Sequence, residues 1–375
     1  ASPVNILDAT NENNANLGIS VACAGDVNGD GYSDIIAGAP GLDDGANFDE
    51  GKAFVYFGSA GGASATPNIT LDDADQLGAS FGSCVASAGD VNGDGYSDVM
   101  VGAETYDDTN TNEGVCFIYY GNAAGTMVNP VCKLDDANQN DAAVGSSVAS
   151  AGDVNGDGYS DVIIGAYFYT DGATAQEGTA FVYHGSAAGL AASPNNTPDD
   201  ADQAVAGFGR SVASAGDING DGYSDVIIGA YQYDDGANAN EGRAFVYYGS
   251  ATGLPATPGS IPDDADQADA WFGFSVASAG DVNGDGYSDV IIGAYQYDDG
   301  ANANEGRAFV YHGSAAGLSA SPNNTPDDAD QANALFAVSV AAAGDVNGDG
   351  YSDVIIGAFG FDDGANTNEG RAFVY

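Results

Sequence analysis

The chain has 375 residues, with 55 acidic and 6 basic side chains, a formal net charge of −49, 56 glycines, a single tryptophan and four cysteines. A surface this acidic repels nucleic acid and anionic membrane, so neither is expected as a partner. No run of about 18 apolar residues is present to cross a bilayer as a helix, and the charge suits a protein that holds divalent cations or works in high salt.

The start, Ala1-Ser2-Pro3, reads as a terminus left after a leader is removed. Next comes Val4-Asn5-Ile6-Leu7-Asp8, which returns later as Asn68-Ile69-Thr70-Leu71-Asp72. From there the chain repeats itself. The string Ala-Gly-Asp-(Val or Ile)-Asn-Gly-Asp-Gly-Tyr-Ser-Asp occurs six times, and its first Asp is Asp26, Asp90, Asp153, Asp217, Asp281 and Asp345, spaced 63 or 64 residues apart. A fixed period of this length marks a repeat architecture. The fourth and fifth copies are nearly identical from Ser211 and Ser275 onward, which points to tandem duplication.

Each unit predicts four strands. In the fourth copy the first is Ser211-Val212-Ala213-Ser214, a run of small residues. The Asp-rich loop follows, then Asp225-Val226-Ile227-Ile228-Gly229-Ala230, a β-branched run bounded by turn residues. An acidic loop, Asp234 to Gly242, leads to the third strand, Arg243-Ala244-Phe245-Val246-Tyr247-Tyr248. The fourth strand is weak: Asn68-Ile69-Thr70-Leu71 in the first unit, but Pro194-Asn195-Asn196-Thr197-Pro198 in the third. Proline removes ladder donors, so this strand belongs at an edge.

Four short strands per unit, small residues innermost and no helical periodicity predict an all-β fold, a six-bladed β-propeller of four-stranded blades. The last unit stops at its third strand, Phe373-Val374-Tyr375. The N-terminal strand, residues 3–8, is expected to complete that sixth blade, so that residues 1–375 form one closed domain. The rivals are an open stack of repeats and a strand donated to a neighbouring molecule, which would build a filament.

The Asp-rich loops carry the candidate site. In the fourth copy, side-chain oxygens fall at positions one, three, five and nine (Asp217, Asn219, Asp221, Asp225), and the backbone carbonyl of Tyr223 is available at seven. The same set recurs as Asp26, Asn28, Asp30, Tyr32, Asp34; Asp90, Asn92, Asp94, Tyr96, Asp98; Asp153, Asn155, Asp157, Tyr159, Asp161; Asp281, Asn283, Asp285, Tyr287, Asp289; and Asp345, Asn347, Asp349, Tyr351, Asp353. Hard oxygen ligands in this number predict calcium, one ion per repeat and about six in all, ahead of magnesium. Zinc would require nitrogen or sulfur. The loop is similar to that of an EF-hand but lacks its Glu at position twelve, where Ala37, Val101, Ile164, Ile228, Ile292 and Ile356 stand. The alternative is an Asx-rich turn without metal.

Phe208-Gly209-x-Ser211-Val212-Ala213, then the loop, then Gly229-Ala230 resembles the FG-GAP repeat of the integrin alpha-chain β-propeller. The resemblance runs along essentially the whole chain. It implies calcium loops on one face, where they brace hairpins, and ligand binding on the opposite face. Departures are Leu17-Gly18, Val144-Gly145 and Phe336-Ala337 for Phe-Gly, and six units where integrins have seven.

The remaining acids lie between strands two and three, such as Asp298 to Glu305, and before strand one, such as Asp263 to Asp266. Hairpin parity places both on the face opposite the calcium loops, with Tyr231, Tyr233, Tyr295 and Tyr297. That face is the expected site for a protein or glycan ligand or for self-association; a merely solvated, salt-adapted surface is the alternative. Arg243, Arg307 and Arg371 are expected to pair locally. His184 and His312 share a position held elsewhere by Tyr248, Tyr120 or Phe57, which reads as structural. No catalytic constellation stands out, so an extracellular, non-enzymatic adhesion or assembly module is expected, with a lectin or filament subunit as alternatives. Sequons occur at Asn68, Asn195 and Asn323. Cys116 and Cys132, on hairpin partners, are the better candidates for a disulfide, ahead of Cys23 with Cys84.

Overall fold

The structure, a computed structural model, describes residues 6–375 apart from 10–13, 46, 73, 128–129, 136, 200, 328, 330 and 365–366. Among these residues there is no helix; each repeat folds into its own small antiparallel sheet, which gives the chain the six blades of the β-propeller class. The first sheet is β1 (Val21–Gly25), β2 (Asp34–Ala39), β3 (Lys52–Tyr56) and β4 (Ile69–Leu71), in that order. The second is β5 (Phe81–Gly89), β6 (Asp98–Ala103), β7 (Val115–Tyr119) and β8 (Cys132–Leu134). Three-stranded sheets follow: β9 (Ser147–Gly152), β10 (Asp161–Ala166), β11 (Thr179–Tyr183); β12 (Phe208–Gly216), β13 (Asp225–Ala230), β14 (Arg243–Tyr247); β15 (Phe272–Gly280), β16 (Asp289–Ala294), β17 (Arg307–Tyr311); and β18 (Phe336–Gly344), β19 (Asp353–Ala358), β20 (Arg371–Val374).

The second strand of repeats two to five is buried on both faces, which is why it reads as an unbroken apolar run rather than an alternation. The first strand alternates buried Val and Ala with half-exposed Ser and Ala. Within a sheet, phenylalanines of the first and third strands meet edge to face, as in Phe208 with Phe245 at 5.1 Å and Phe272 with Phe309 at 5.1 Å.

The fourth strands depart from expectation. Among the described residues, only the first two repeats have them. In repeats three to five the segment shrinks to one bridge, Val182 to Asn196, Val246 to Ser260 and Val310 to Asn324. The following prolines explain this. Pro198, Pro262 and Pro326 lack an amide hydrogen to give, and act only as acceptors for Ala180 (3.1 Å), Ala244 (3.1 Å) and Ala308 (2.9 Å). The predicted closing strand, residues 3–8, lies partly outside the described residues. Its described part, Ile6 to Asp8, is not a strand; Leu7 instead packs against a first-repeat cluster that includes Leu42, Phe54 and Tyr56.

By internal contacts the chain forms two compact units. One comprises Ala1–Gly152, Asp157–Tyr169 and Phe181–Thr197; the other comprises Asp153–Gly156, Thr170–Ala180 and Pro198–Tyr375. In the first, β5 packs on β1 and β9 on β5; in the second, β15 packs on β12 and β18 on β15. Glycine makes this approach possible. A Cβ on Gly229 would fall on the carbonyl oxygen of Gly273 in the next repeat, and Gly273 itself has φ +82°. The same contact joins Gly38 to Gly82, Gly102 to Gly145 and Gly293 to Ala337, so at these joints the Gly-Ala dipeptide of one repeat meets the second residue of the Phe-Gly position of the next.

Candidate metal loops and the tyrosine-bearing ends of the sheets

Each Asp-rich loop joins strands one and two. In the first repeat, Asp26 Oδ1 accepts the amides of Gly29 (2.7 Å) and Asp30 (3.1 Å), and its Oδ2 accepts that of Gly31 (2.8 Å). Asn28 Oδ1 takes the Asp30 amide (2.9 Å) and Asp30 Oδ1 takes that of Tyr32 (3.0 Å). These i to i+2 and longer bonds are Asx turns that curl the chain round its own oxygens. The ninth-position carboxylate turns inward. Asp34 is fully buried and accepts amides from Val27 (3.0 Å) and Gly58 (2.7 Å), pinning the loop to the end of strand three. Asp98 holds Val91 and Gly121 in the same way, and Asp225 holds Ile218 and Gly249. Burial pushes Asp98 and Asp225 up to about 7; the amide bonds oppose this and the neighbouring loop aspartates add to it.

Consecutive loops are latched. The Ser97 amide donates to the Asp26 carbonyl (3.0 Å), Ser160 to Asp90 (3.1 Å), Ser288 to Asp217 (3.1 Å) and Ser352 to Asp281 (2.9 Å). The Tyr96 ring lies on Gly29, and Tyr287 lies on Gly220. The loop tyrosine therefore spends its ring on the preceding loop, leaving its backbone carbonyl as its only metal donor. Among the described residues, no group of three or more His, Cys, Asp or Glu side chains is gathered as a metal site. As a donor set, two carboxylates, an amide oxygen and a carbonyl in one loop, beside a buried third carboxylate, fit a hard divalent cation. An amide bond occupies one lone pair of a carboxylate oxygen and leaves the other free.

The other end of each sheet carries the acidic loops. The side chain of Gln267 accepts the Asp298 amide (2.6 Å) and donates to the Asp298 carbonyl (3.1 Å), tying the segment before strand one to the loop after strand two. Glu241, fully buried, accepts the Asp266 amide (2.6 Å) and the Asn238 side chain (3.0 Å). The basic residues here pair with aspartates: Arg243 with Asp235 (3.0 Å) and Asp263 (2.8 Å), Arg307 with Asp299 (3.2 Å) and Asp327 (2.6 Å), and Arg371 with Asp363 (3.5 Å). Arg243 and Arg307 also stack over Tyr233 and Tyr297. Those two tyrosines therefore serve the framework.

Tyr231 and Tyr295 sit differently. They stand edge-on to Trp271 (5.2 and 5.4 Å) and Phe274 (5.5 and 4.5 Å), with Arg210 over the Phe274 ring at 4.7 Å. Trp271 holds φ +58°, a conformation costly for a bulky residue. The equivalent position in the preceding repeat is Gly207. Sequence reasoning missed this half-buried aromatic group. Its signal was the break in repetition, where Trp271 and Phe274 replace Gly207 and Arg210 between otherwise near-identical copies.

The sequon asparagines have a backbone role: their side-chain oxygens accept the amides of Phe57 (2.9 Å), His184 (2.8 Å) and His312 (2.9 Å). All four cysteines are free thiols, so of the two readings, bridges or small apolar side chains, the candidate Cys116–Cys132 bridge is not formed. Cys116 is registered with Leu134, and Cys132 with Ile118. The two are diagonal neighbours, about 7–8 Å apart in this kind of ladder, beyond the usual reach of a disulfide.

The FG-GAP repeat family matches residues 19–56, 81–118, 144–183, 208–247, 272–311 and 336–375, more than half of the chain. Among curated proteins, the chain is 32% identical over 226 residues to integrin alpha-V of Gallus gallus, covering 58% of this chain and 20% of that one. It is 34% identical over 150 residues to integrin alpha-4 of Xenopus laevis, covering 40% and 14%. It therefore spans a fifth or less of these relatives. Among solved structures, BBS1N in complex with ARL6DN aligns with a TM-score of 0.47 at 10% identity, over 89% of this chain and 74% of that one. The Dos1 propeller aligns at 0.43 and 11% identity, over 81% and 59%.

Proposed function

This chain belongs to the FG-GAP repeat family, and from that premise we propose that it is a calcium-braced β-propeller acting outside the cell as an adhesion or assembly module. The observation that carries the calcium reading is the sixfold loop with a buried carboxylate at its ninth position. Asp98 and Asp225 are held near neutrality only because burial and the loop aspartates work against their ionisation. Bound calcium would supply the positive charge that relieves this repulsion. Asp26, Asn28, Asp30 and the Tyr32 carbonyl would hold it in the first repeat, with Asp34 behind them, and the equivalent residues in the others. The role is structural, because Asp34 ties the loop to strand three. Adding calcium to chelated protein should raise the melting temperature by several degrees, since a ligand of the folded state stabilises it. An unchanged melting curve in excess EDTA would falsify this reading.

The partner surface is assigned to the sheet ends opposite these loops. A protein or glycan ligand fits there, and the half-buried group around Trp271 favours a glycan, whose C–H faces stack on aromatic rings while Asn and Gln bond its hydroxyls. A glycan array with no hits in calcium, for a protein whose Trp271→Ala variant also keeps its protein contacts, would count against that choice. Self-association through the same face is read by light scattering at high concentration. No catalytic role is assigned.

A further inference from the structure

Where strand three begins, at the sheet end opposite the Asp-rich loop, the repeats gather acids around a side-chain cation. One nitrogen serves both aspartates. Arg243 Nη2 lies 3.0 Å from Asp235 and 2.8 Å from Asp263, and Arg307 Nη2 lies 3.2 Å from Asp299 and 2.6 Å from Asp327. In the first repeat Lys52 Nζ stands 3.5 Å from Asp44 and 3.1 Å from Asp72. In the sixth, Arg371 reaches Asp363 at 3.5 Å. The second repeat has Val115 at this position, and Lys133 of β8 supplies the charge instead. Its Nζ lies 4.7 Å from the centre of the Tyr106 ring, much as Arg243 lies 4.3 Å from that of Tyr233.

The third repeat keeps the acids and loses the cation. Asp171 and Asp199 stand where Asp235 and Asp263 do, and Glu177 where Glu241 does, but Thr179 replaces Arg243. Thr179 is buried and uncharged, and its hydroxyl donates to the Pro198 carbonyl (3.0 Å). No other lysine or arginine takes its place. Five of the chain's six are the ones already named, and the sixth, Arg210, lies over the Phe274 ring. The loop itself is unchanged: Asp171 bridges Thr174 as Asp235 bridges Asn238.

A second substitution points the same way. The side-chain amide of Asn238 donates to Glu241 (3.0 Å), that of Asn302 to Glu305 (3.0 Å) and that of Asn47 to Glu50 (3.0 Å). Thr174 holds the equivalent place and makes no such bond. Glu177 is only 3% exposed; its Oε1 accepts the Asp202 amide, and its Oε2 accepts nothing among the described residues. Burial opposes its ionisation, and the charges of Asp202, Asp199 and Asp171 add to that. A buried carboxylate so placed costs free energy until a cation pairs with it. Mutual repulsion keeps the three acids from gathering as a metal site on their own.

We propose that Asp171, Asp199 and Glu177 bind a hard divalent cation, calcium first, in place of the missing side-chain cation. Charge decides between a metal and a lysine or arginine from a partner. In the fourth and fifth repeats one positive charge answers two aspartates, and an asparagine occupies the glutamate. Here the glutamate oxygen joins the aspartates, and three carboxylates call for two positive charges. Every donor is oxygen, the ligand that calcium takes.

The test counts ions by equilibrium dialysis of the full chain against labelled calcium at physiological ionic strength. Thr179→Arg restores the side-chain cation and should lower the count by one ion per chain. Only the difference between parent and variant is read, so the result stands whether or not the Asp-rich loops bind calcium. Thr179→Val, matching Val115 of the second repeat, should keep the count. Glu177→Gln should weaken one ion about tenfold or more, because affinity follows the number of charged ligands. Should Thr179→Arg fail to fold, the double variant Asp171→Asn, Asp199→Asn reads the same difference by removing donors. An equal count in the parent and in either of these charge-changing variants would overturn the proposal. So would the loss of an ion in Thr179→Val, or undiminished affinity in Glu177→Gln.

Discussion

The glycine of the second strand gives a test with opposite signs at equivalent positions. Gly229→Ala places a Cβ on the Gly273 carbonyl oxygen of the next repeat. Neither side can yield cheaply, because Gly229 is paired to Ser211 and Ala244 across its own sheet and Gly273 lies in β15. Forcing extra volume into a packed interior costs about 1–3 kcal/mol, and more when the obstacle is backbone; about 3 kcal/mol or more is expected. Gly357→Ala is the same change in the sixth repeat. Its nearest neighbours would be Ser339 O at 3.7 Å and Ser339 Cβ at 3.8 Å, ordinary contact distances. There alanine removes glycine's entropic cost in a strand and should stabilise by about 0.5–1 kcal/mol. Urea midpoints of both variants and the parent, at one calcium concentration, should differ by about 4 kcal/mol between the variants. If Gly357→Ala proves as destabilising as Gly229→Ala, then something covers the sixth repeat's second strand in solution, and the reasoning fails.

Other expectations are smaller. Ala337 holds φ +65°, where the five other repeats have glycine at the equivalent position. The left-handed conformation costs alanine about 1–2 kcal/mol, and glycine's freer unfolded state returns about 0.4–1, so Ala337→Gly should gain about 0.5 kcal/mol; a loss of 1 kcal/mol or more in the same urea assay would contradict this. Burial raises Glu50, Glu177 and Glu241 above the usual 4.5. The folded state then binds protons more tightly than the unfolded one, so these groups make stability fall as pH rises through 4.5 and beyond. Chelated protein should accordingly melt higher near pH 5 than at pH 7, and the reverse order would contradict the assignment. Exposed Cys23 should react with a maleimide in the folded protein, whereas Cys116, fully buried and with its thiol pushed up by burial, should react only on unfolding. Mass spectrometry of the labelled peptides separates the two.

Much of this was legible in the sequence because it is written six times. Repetition located the loops, and the β-branched run before each Gly-Ala located the doubly buried strand. Pro198, Pro262 and Pro326 announced an edge, but not that the edge would shrink to a single bridge, since proline still accepts from the third strand. The anchoring of Asp34 was not legible: the two amides it accepts, from Val27 and Gly58, are set by tertiary contact rather than by the spacing of the loop. Tyr233 and Tyr297 looked like a ligand surface until Arg243 and Arg307 were found stacked on them. Trp271 was overlooked because attention to what repeats passes over what does not.

The latch between consecutive loops is directional. Each repeat offers a carbonyl and a glycine to the next, and presents a serine amide and a tyrosine to the one before. Any repeat can therefore follow any other without redesign of the joint. Copying or deleting one unit of this gene leaves every remaining joint intact, so the number of blades is open to change by unequal recombination. The near-identity of the fourth and fifth copies is what a recent event of that kind would leave behind.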